Sequence, residues 1–221
     1  MRNPILQAHG LTFKFPQQQV FSSFSASVPA GITYVVGGES CGKSTLLRLF
    51  AGDLTPQSGN IAIFNSGQAI NRVDNLAQYK KYVFWVDPRT SLHDQITPND
   101  YFDSQRNDYS AFDNALLLEM IEGLSLKDHV SKAMYMLSAG SKRKVWLAAA
   151  FASGAKVTLL DEPFAALDKA SINFLIERLE RFKQGSERAW VIADYEVPQN
   201  LTVTLTINLA LKPAYLLSKQ L

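Results

Sequence analysis

Short apolar runs rich in β-branched residues alternate along the chain with longer amphipathic stretches. Ile32–Val36 (ITYVV) reads as a strand stopped by Gly37-Gly38, and Ser44–Phe50 as a helix ended by Gly52. Val157–Leu160 reads as a buried strand ending in an acidic pair, and Trp190–Ala193 as another apolar strand. Between them, Ala170–Phe182 places Ile172, Leu175, Ile176, Leu179 and Phe182 on one helical face, with Gly185 as its stop. Strands that alternate with helices predict an α/β fold, with a mainly parallel sheet covered on both faces.

Two regions break that rhythm. In the first thirty residues Leu11, Phe13 and Phe15, then Phe21, Phe24, Ala26 and Val28, alternate with polar positions. That pattern predicts antiparallel strands at one side. Between Pro88 and Leu137 the chain is polar and helical, with Phe112, Leu116, Leu117, Met120 and Leu124 at helical spacing. A helical subdomain is therefore expected over roughly residues 88–140, inserted into the α/β core. Leu201–Leu221 reads as one or two edge strands. No internal repeat or linker divides the chain, so residues 1–221 are expected to form a single domain.

Composition narrows the functional classes. A chain of 221 residues with 47% hydrophobic and 19% charged residues can bury a core without disulfides. A net charge of +2 gives no basic field for nucleic acid, and none is expected as a partner. The single cysteine, Cys41, excludes an intrachain disulfide and fits a reducing compartment. The longest apolar stretch, Val145–Ala155, is well short of the ~20 residues that span a bilayer, so a membrane role must come through a partner.

The strongest chemical motif is Gly37-Gly38-Glu39-Ser40-Cys41-Gly42-Lys43-Ser44-Thr45, which matches GxxxxGK(S/T). Glycines let consecutive backbone N–H groups face inward on phosphates. Lys43 reaches the β- and γ-phosphates, the Ser44 hydroxyl ligates Mg²⁺, and the following helix adds its N-terminal dipole. A strand before the motif and a helix after it supply the context the motif requires.

The second motif is Lys156-Val-Thr-Leu-Leu-Asp-Glu-Pro163. It sets Asp161 at the sheet's C-terminal edge, where ligands of open α/β sheets bind. Asp161 is expected to hold Mg²⁺ and Glu162 to polarise an attacking water. Alone, such a pair is usually a solvated strand end. Together with the phosphate loop it is specific.

Leu137-Ser138-Ala139-Gly140-Ser141 resembles the LSGGQ signature of ABC ATPases, and it lies about 20 residues before the acidic strand as in that family. Ala166-Leu167-Asp168 resembles the loop after that family's catalytic glutamate. LFAGDLTPQSGNIAI, Leu49 to Ile63, resembles its stretch after the phosphate loop, and Phe15 falls where the family places an aromatic against adenine. The short length, LSAG and LDEPF look most like the ATP-binding subunits of cytochrome c biogenesis (haem export) systems. The resemblance implies a P-loop ATPase that binds ATP and Mg²⁺ and works as a head-to-tail homodimer or heterodimer. Ser138 and Gly140 of one subunit would face the nucleotide of the other. It also implies an integral membrane permease as partner and a cytoplasmic location on the inner face of the membrane.

The chain departs from the family at its sensing positions. Asp87 stands where the family has glutamine, and Tyr195 (or Asp194, with the alignment shifted by one) where it has a histidine. Ser40 replaces a glycine, and Ser141 replaces the signature's glutamine. His9, His93 and His129 lie elsewhere and read as surface or packing residues. Asp87, Glu162 and Tyr195 are the catalytic candidates, and Asp87 is also a candidate Mg²⁺ ligand. With binding groups intact and sensing groups altered, slow hydrolysis is expected. The alternative is a degenerate nucleotide-binding regulatory subunit with little hydrolysis.

Overall fold

The computed structural model describes residues 4–182 and 187–210. The elements run β1 (Leu6–Phe15), β2 (Gln18–Val28), β3 (Gly31–Val36), α1 (Lys43–Ala51), β4 (Ser58–Asn65), β5 (Gln68–Asn71), α2 (Leu76–Lys80) and β6 (Val83–Phe84). Then come α3 (Pro98–Asp108), α4 (Asn114–Gly123), a 3-10 turn (Met134–Met136), α5 (Ala139–Ala152), β7 (Val157–Asp161), α6 (Lys169–Arg181), β8 (Ala189–Asp194) and β9 (Leu205–Asn208).

Among the described residues these strands make two sheets. One is parallel, in the order β6-β7-β8-β3-β9; the other is antiparallel, in the order β2-β1-β4-β5. Side chains alternate across a strand, so each parallel strand feeds two cores. Tyr34, Leu160, Trp190 and Ile192 belong to the core built on α5, α6 and the inserted helices. Val35, Leu159, Val191 and Ala193 belong to the core shared with α1 and the antiparallel sheet. Burial on both faces is why these strands read as unbroken apolar runs.

The helices fit those faces. In α1, Leu46, Leu47, Leu49 and Phe50 are fully buried, and the helix ends at Gly52. From Val145 to Ala152 every residue of α5 is buried, so this half of the helix is apolar all round. Its last carbonyls have no partner within the helix. Arg188 supplies donors to Ala150 O (3.2 Å), Phe151 O (3.2 Å) and Ala155 O (2.9 Å), and its guanidinium lies 4.9 Å from the Trp190 ring. Burial lowers the pKa of Arg188 to about 10. It therefore keeps its charge at neutral pH.

The expected helical insert is built from α3, α4 and the 3-10 turn. Thr97 and Asp100 form a capping box that starts α3 at Pro98, and Asp113 caps α4 through Leu116 N–H. Phe112 precedes α4, whereas Leu117, Met120 and Leu124 pack into the α5 core. At the other end, β9 is the expected edge strand, paired with β3. Gly185 and the chain beyond residue 210 lie outside the described residues. The antiparallel pair β1–β2 forms as the alternation implies. The short α2 had no sequence signal; Tyr79 anchors it through a bond to Phe50 O (2.6 Å).

Candidate functional site

Parallel strands carry their C-terminal ends to one edge of the sheet, and here that edge gathers the chemistry. Val36 of β3 lies beside Asp194 of β8, and Ala193 lies beside Asp161 of β7. The glycine-rich segment 37–42 leaves β3 at that edge and enters α1. Topology alone therefore joins the loop, the acidic strand ends and a helix N-terminus.

Lys43 is 7% exposed, and its charge is satisfied locally. Nζ donates to Gly37 O (2.8 Å) and Gly38 O (2.9 Å) and lies 4.3 Å from the centroid of the Tyr195 ring. Gly42 has φ 104, and a β-carbon there would come within 2.7 Å of Val20 Cγ1 and 3.1 Å of Phe21 Cζ. Only glycine fits that position. Ser40, which stands in the place of a glycine, takes φ 55, a left-handed conformation that strains a residue with a side chain.

A cleft of about 390 Å³ opens over this loop, bordered by Phe15, Cys41, Arg89, Glu162 and Tyr195 among others. Ser40, Gly42, Lys43, Ser44 and Thr45 line it too. A larger groove, about 910 Å³, lies at Asp53, Lys80, Trp85 and Tyr109 and contains none of the expected site residues. Asp53 there accepts hydrogen bonds from Lys80 Nζ (2.9 Å) and Trp85 Nε1 (2.8 Å).

Burial and then neighbouring charges act on two carboxylates at the strand ends, Asp161 and Asp194. Burial raises the Asp161 carboxyl above its ordinary pKa, and the Glu162 and Asp87 charges add to that rise; the Ser44 hydroxyl and Arg89 oppose it. Asp161 Oδ1 is buried with no hydrogen-bond partner among the described residues. An orphaned carboxylate oxygen beside a serine hydroxyl and a second aspartate is a donor set suited to a hard divalent cation such as Mg²⁺. No group of three or more His, Cys, Asp or Glu side chains forms a metal cage among the described residues. Such an ion would therefore need phosphate oxygens to complete its shell, as Mg²⁺ ordinarily does. Burial also raises Asp194, which accepts from Tyr195 N (2.8 Å). The Tyr195 hydroxyl is raised by lost hydration and then by Glu162 and Glu39, so it remains a proton donor.

Glu162 sits in a left-handed turn at φ 46, its N–H bonded to Ala193 O (2.8 Å). Arg143 of α5 holds the far side of that turn: one guanidinium nitrogen donates to both Glu162 O and Ala165 O, each at 2.8 Å. Ser138 caps α5 by accepting from Ser141 N (3.1 Å). Gly140 lies so close to the same turn that a β-carbon would meet Ala166 O at 2.4 Å. Lys144 pairs with Asp168 (2.7 Å), which caps α6 through Ser171 N–H (2.8 Å). That ion pair and the Ser171 bonds hold the Asp168 carboxyl far below its ordinary pKa, with the Lys144 contact the larger cause.

A family model described as ABC transporter matches residues 21–165. The chain belongs to that family. This ABC ATP-binding domain is 28% identical over 193 residues to the cytochrome c biogenesis ATP-binding export protein CcmA of Legionella pneumophila (strain Lens), covering 86% of the chain and 92% of the relative. The same export protein of Idiomarina loihiensis is 31% identical, with 80% of the chain and 79% of the relative covered. The cobalt import ATP-binding protein CbiO of Rhodobacter capsulatus is 33% identical, over 80% of the chain and 65% of the relative. In fold, the chain matches a putative ABC transporter ATP-binding protein of Pyrococcus furiosus with a TM-score of 0.72 and 20% identity, over 92% of this chain and 96% of that one. No helix among the described residues is long and apolar enough to cross a membrane.

The ABC domain thus brings most of the expected site residues to one edge. Phe15, the loop from Ser40 to Thr45, Glu162 and Tyr195 border the cleft; Gly37 and Gly38 meet it through Lys43; Asp161 and Asp87 lie close enough to couple electrostatically. Ser138 and Gly140 do not border the chain's own cleft. Of the two residues at the altered histidine position, Tyr195 faces the loop and Asp194 closes the strand. Arg89, Arg143 and Lys144 were not singled out from sequence. Each acts across a tertiary contact, and none stands at a motif position that marks it.

Proposed function

We propose that this chain is the slowly hydrolysing ATP-binding subunit of an ABC membrane transporter or exporter, active as a head-to-tail pair. The observation that carries the reading is the shared cleft of the Lys43 loop and Glu162, backed by the unpartnered Asp161 oxygen. Loop N–H groups and Lys43 bind the phosphates, and Phe15 lies against adenine. Ser44, Asp161 and Asp87 are the oxygen donors assigned to Mg²⁺, which when bound offsets phosphate charge. Glu162 orients and polarises the attacking water. Ser138 and Gly140, which do not line their own cleft, serve the nucleotide held by the second subunit, a homologue or an identical copy. The exporter relatives support a permease partner at the inner face of the membrane, and the chain's near-neutral charge supports no role on nucleic acid.

A catalytically degenerate regulatory subunit is the second reading, favoured by Tyr195 on Lys43 and by Asp87 in the place of glutamine. Calorimetry and steady-state turnover with Mg-ATP separate the two. Wild type is expected to bind ATP, and Lys43→Ala to lose that binding while keeping its fold. Glu162→Gln is expected to run as a stable ATP-bound dimer on size exclusion. Equal ATP affinity in wild type and Lys43→Ala would show that the loop does not bind the nucleotide.

A further inference from the structure

Among the described residues that line the cleft, only Lys43 and Arg89 carry a positive charge. Lys43 is already engaged by two carbonyls and the face of Tyr195. The Arg89 guanidinium has no hydrogen bond or ion pair with any described residue, although four carboxylates lie at this edge of the sheet.

Its placement comes from a turn at the end of the β6 strand. Asp87 Oδ1 accepts from Arg89 N (2.9 Å), and Asp87 O accepts from Thr90 N (3.0 Å). Pro88 fixes φ between them. The turn delivers Arg89 to the cleft wall that it shares with Glu162 and Tyr195.

We infer that Arg89 binds the terminal phosphate of ATP, supplying the cationic donor that Tyr195 lacks, so that this chain distinguishes ATP from ADP through a residue outside its motifs. The inference rests on the ATP reading given above. The physical reason is charge. Asp87, Asp161, Glu162 and Asp194 make this edge negative, and a third phosphate adds to the repulsion. A planar guanidinium can offer two parallel N–H bonds to a phosphate, where the phenol of Tyr195 offers one neutral donor. A free arginine at that end counters the added charge without displacing Lys43 from the β-phosphate.

The test is calorimetry with Mg-ATP and Mg-ADP on chains carrying Glu162→Gln, which keeps ATP intact during the titration. The Glu162→Gln parent is expected to prefer ATP. Adding Arg89→Ala should weaken ATP by about 10- to 100-fold, the loss typical of one or two charge-assisted hydrogen bonds. ADP affinity should stay within about twofold, less than a single neutral hydrogen bond contributes. Arg89→Lys should recover part of the ATP affinity, because the charge remains while the fork is lost. Lys43→Ala should weaken both nucleotides. Unchanged ATP affinity in Arg89→Ala, or an equal loss for ADP, would overturn the assignment and leave the ATP reading standing. A parent that binds both nucleotides equally would overturn it as well. A parent that binds neither would overturn the ATP reading itself, and Arg89 with it.

Discussion

The ammonium of Lys43 lies 4.3 Å from the centroid of the Tyr195 ring, so the loop's cation is shared between two carbonyls and an aromatic face. A cation–π contact at a partly exposed site contributes about 0.5–1 kcal/mol. That is small beside ATP binding, and it biases the ring toward this position by about two- to fivefold. The hydroxyl therefore donates from a position biased by ring packing, and a shorter imidazole at this position is expected to reach phosphate and water better. Misplacement by about 1 Å can cost about 100-fold in rate. Tyr195→His is expected to raise steady-state turnover above that of wild type. Wild-type turnover above about 1 s⁻¹, the low end of ordinary enzyme rates, would show that the phenol already serves fully.

Cys41 is partly exposed at the cleft and packs on Gly37, where a β-carbon would stand 2.5 Å from its sulfur. It stands on the cleft wall two residues before the start of α1, where a reagent and a bound nucleotide would compete for the same space. Alkylation should block nucleotide binding, and saturating Mg-ATP should slow alkylation. Mass spectrometry of labelling time courses reads both effects. Equal rates with and without nucleotide would remove Cys41 from the site.

Arg143 ties the helix that carries Ser138 to the backbone of Glu162. It touches no reacting atom in this arrangement and acts as a positioning residue. Arg143→Ala should lower kcat by about 10- to 100-fold, since two charge-assisted bonds fix the Glu162 turn, with KM for ATP little changed. Arg143→Lys should restore part of kcat by reaching one carbonyl. A loss confined to melting temperature, with kcat intact, would reduce Arg143 to a structural tie.

Gly140 has a role within its own chain besides any contact with a second subunit. A β-carbon there would approach the Ala166 backbone oxygen to 2.4 Å, and a backbone oxygen cannot step aside as a flexible side chain can. Gly140→Ala should destabilise the fold by about 1–3 kcal/mol, as overpacking does. Denaturant unfolding measures this. A midpoint equal to wild type would leave the nucleotide of the partner as the only reason for glycine.

Much of the fold was legible because its signals are local. ITYVV, VTLL and WVIA are strands because their burial on both faces requires continuous apolar runs, and Leu46 to Phe50 needed only a helical period. Lys43, Ser44, Asp161 and Glu162 were legible because phosphate and Mg²⁺ chemistry demands those residue types at fixed spacing. The insert was legible as helical but not as α3 and α4, because Tyr101 and Phe102 alone give α3 too few apolar residues to show a helical period. The neighbours of Tyr195 were not legible at all. Which side chain at the end of β8 meets the loop follows from the register of β8 on β3, and no spacing along the chain encodes it.

From its sequence alone this chain is determined as an α/β ABC nucleotide-binding domain with an intact phosphate loop, because backbone curvature and the chemistry of phosphate leave few residues to choose from. The tertiary structure alone decided that Tyr195 covers Lys43, that Arg143 grips the Glu162 turn, and that Arg89 stands unpaired in the cleft. The two contacts join residues 152 and 19 positions apart (43 to 195 and 143 to 162), and Arg89 lines the same cleft as Glu162, 73 positions further along the chain. Side chains that far apart meet only when strand order and helix packing bring their backbones together, and that order is a property of the whole buried core.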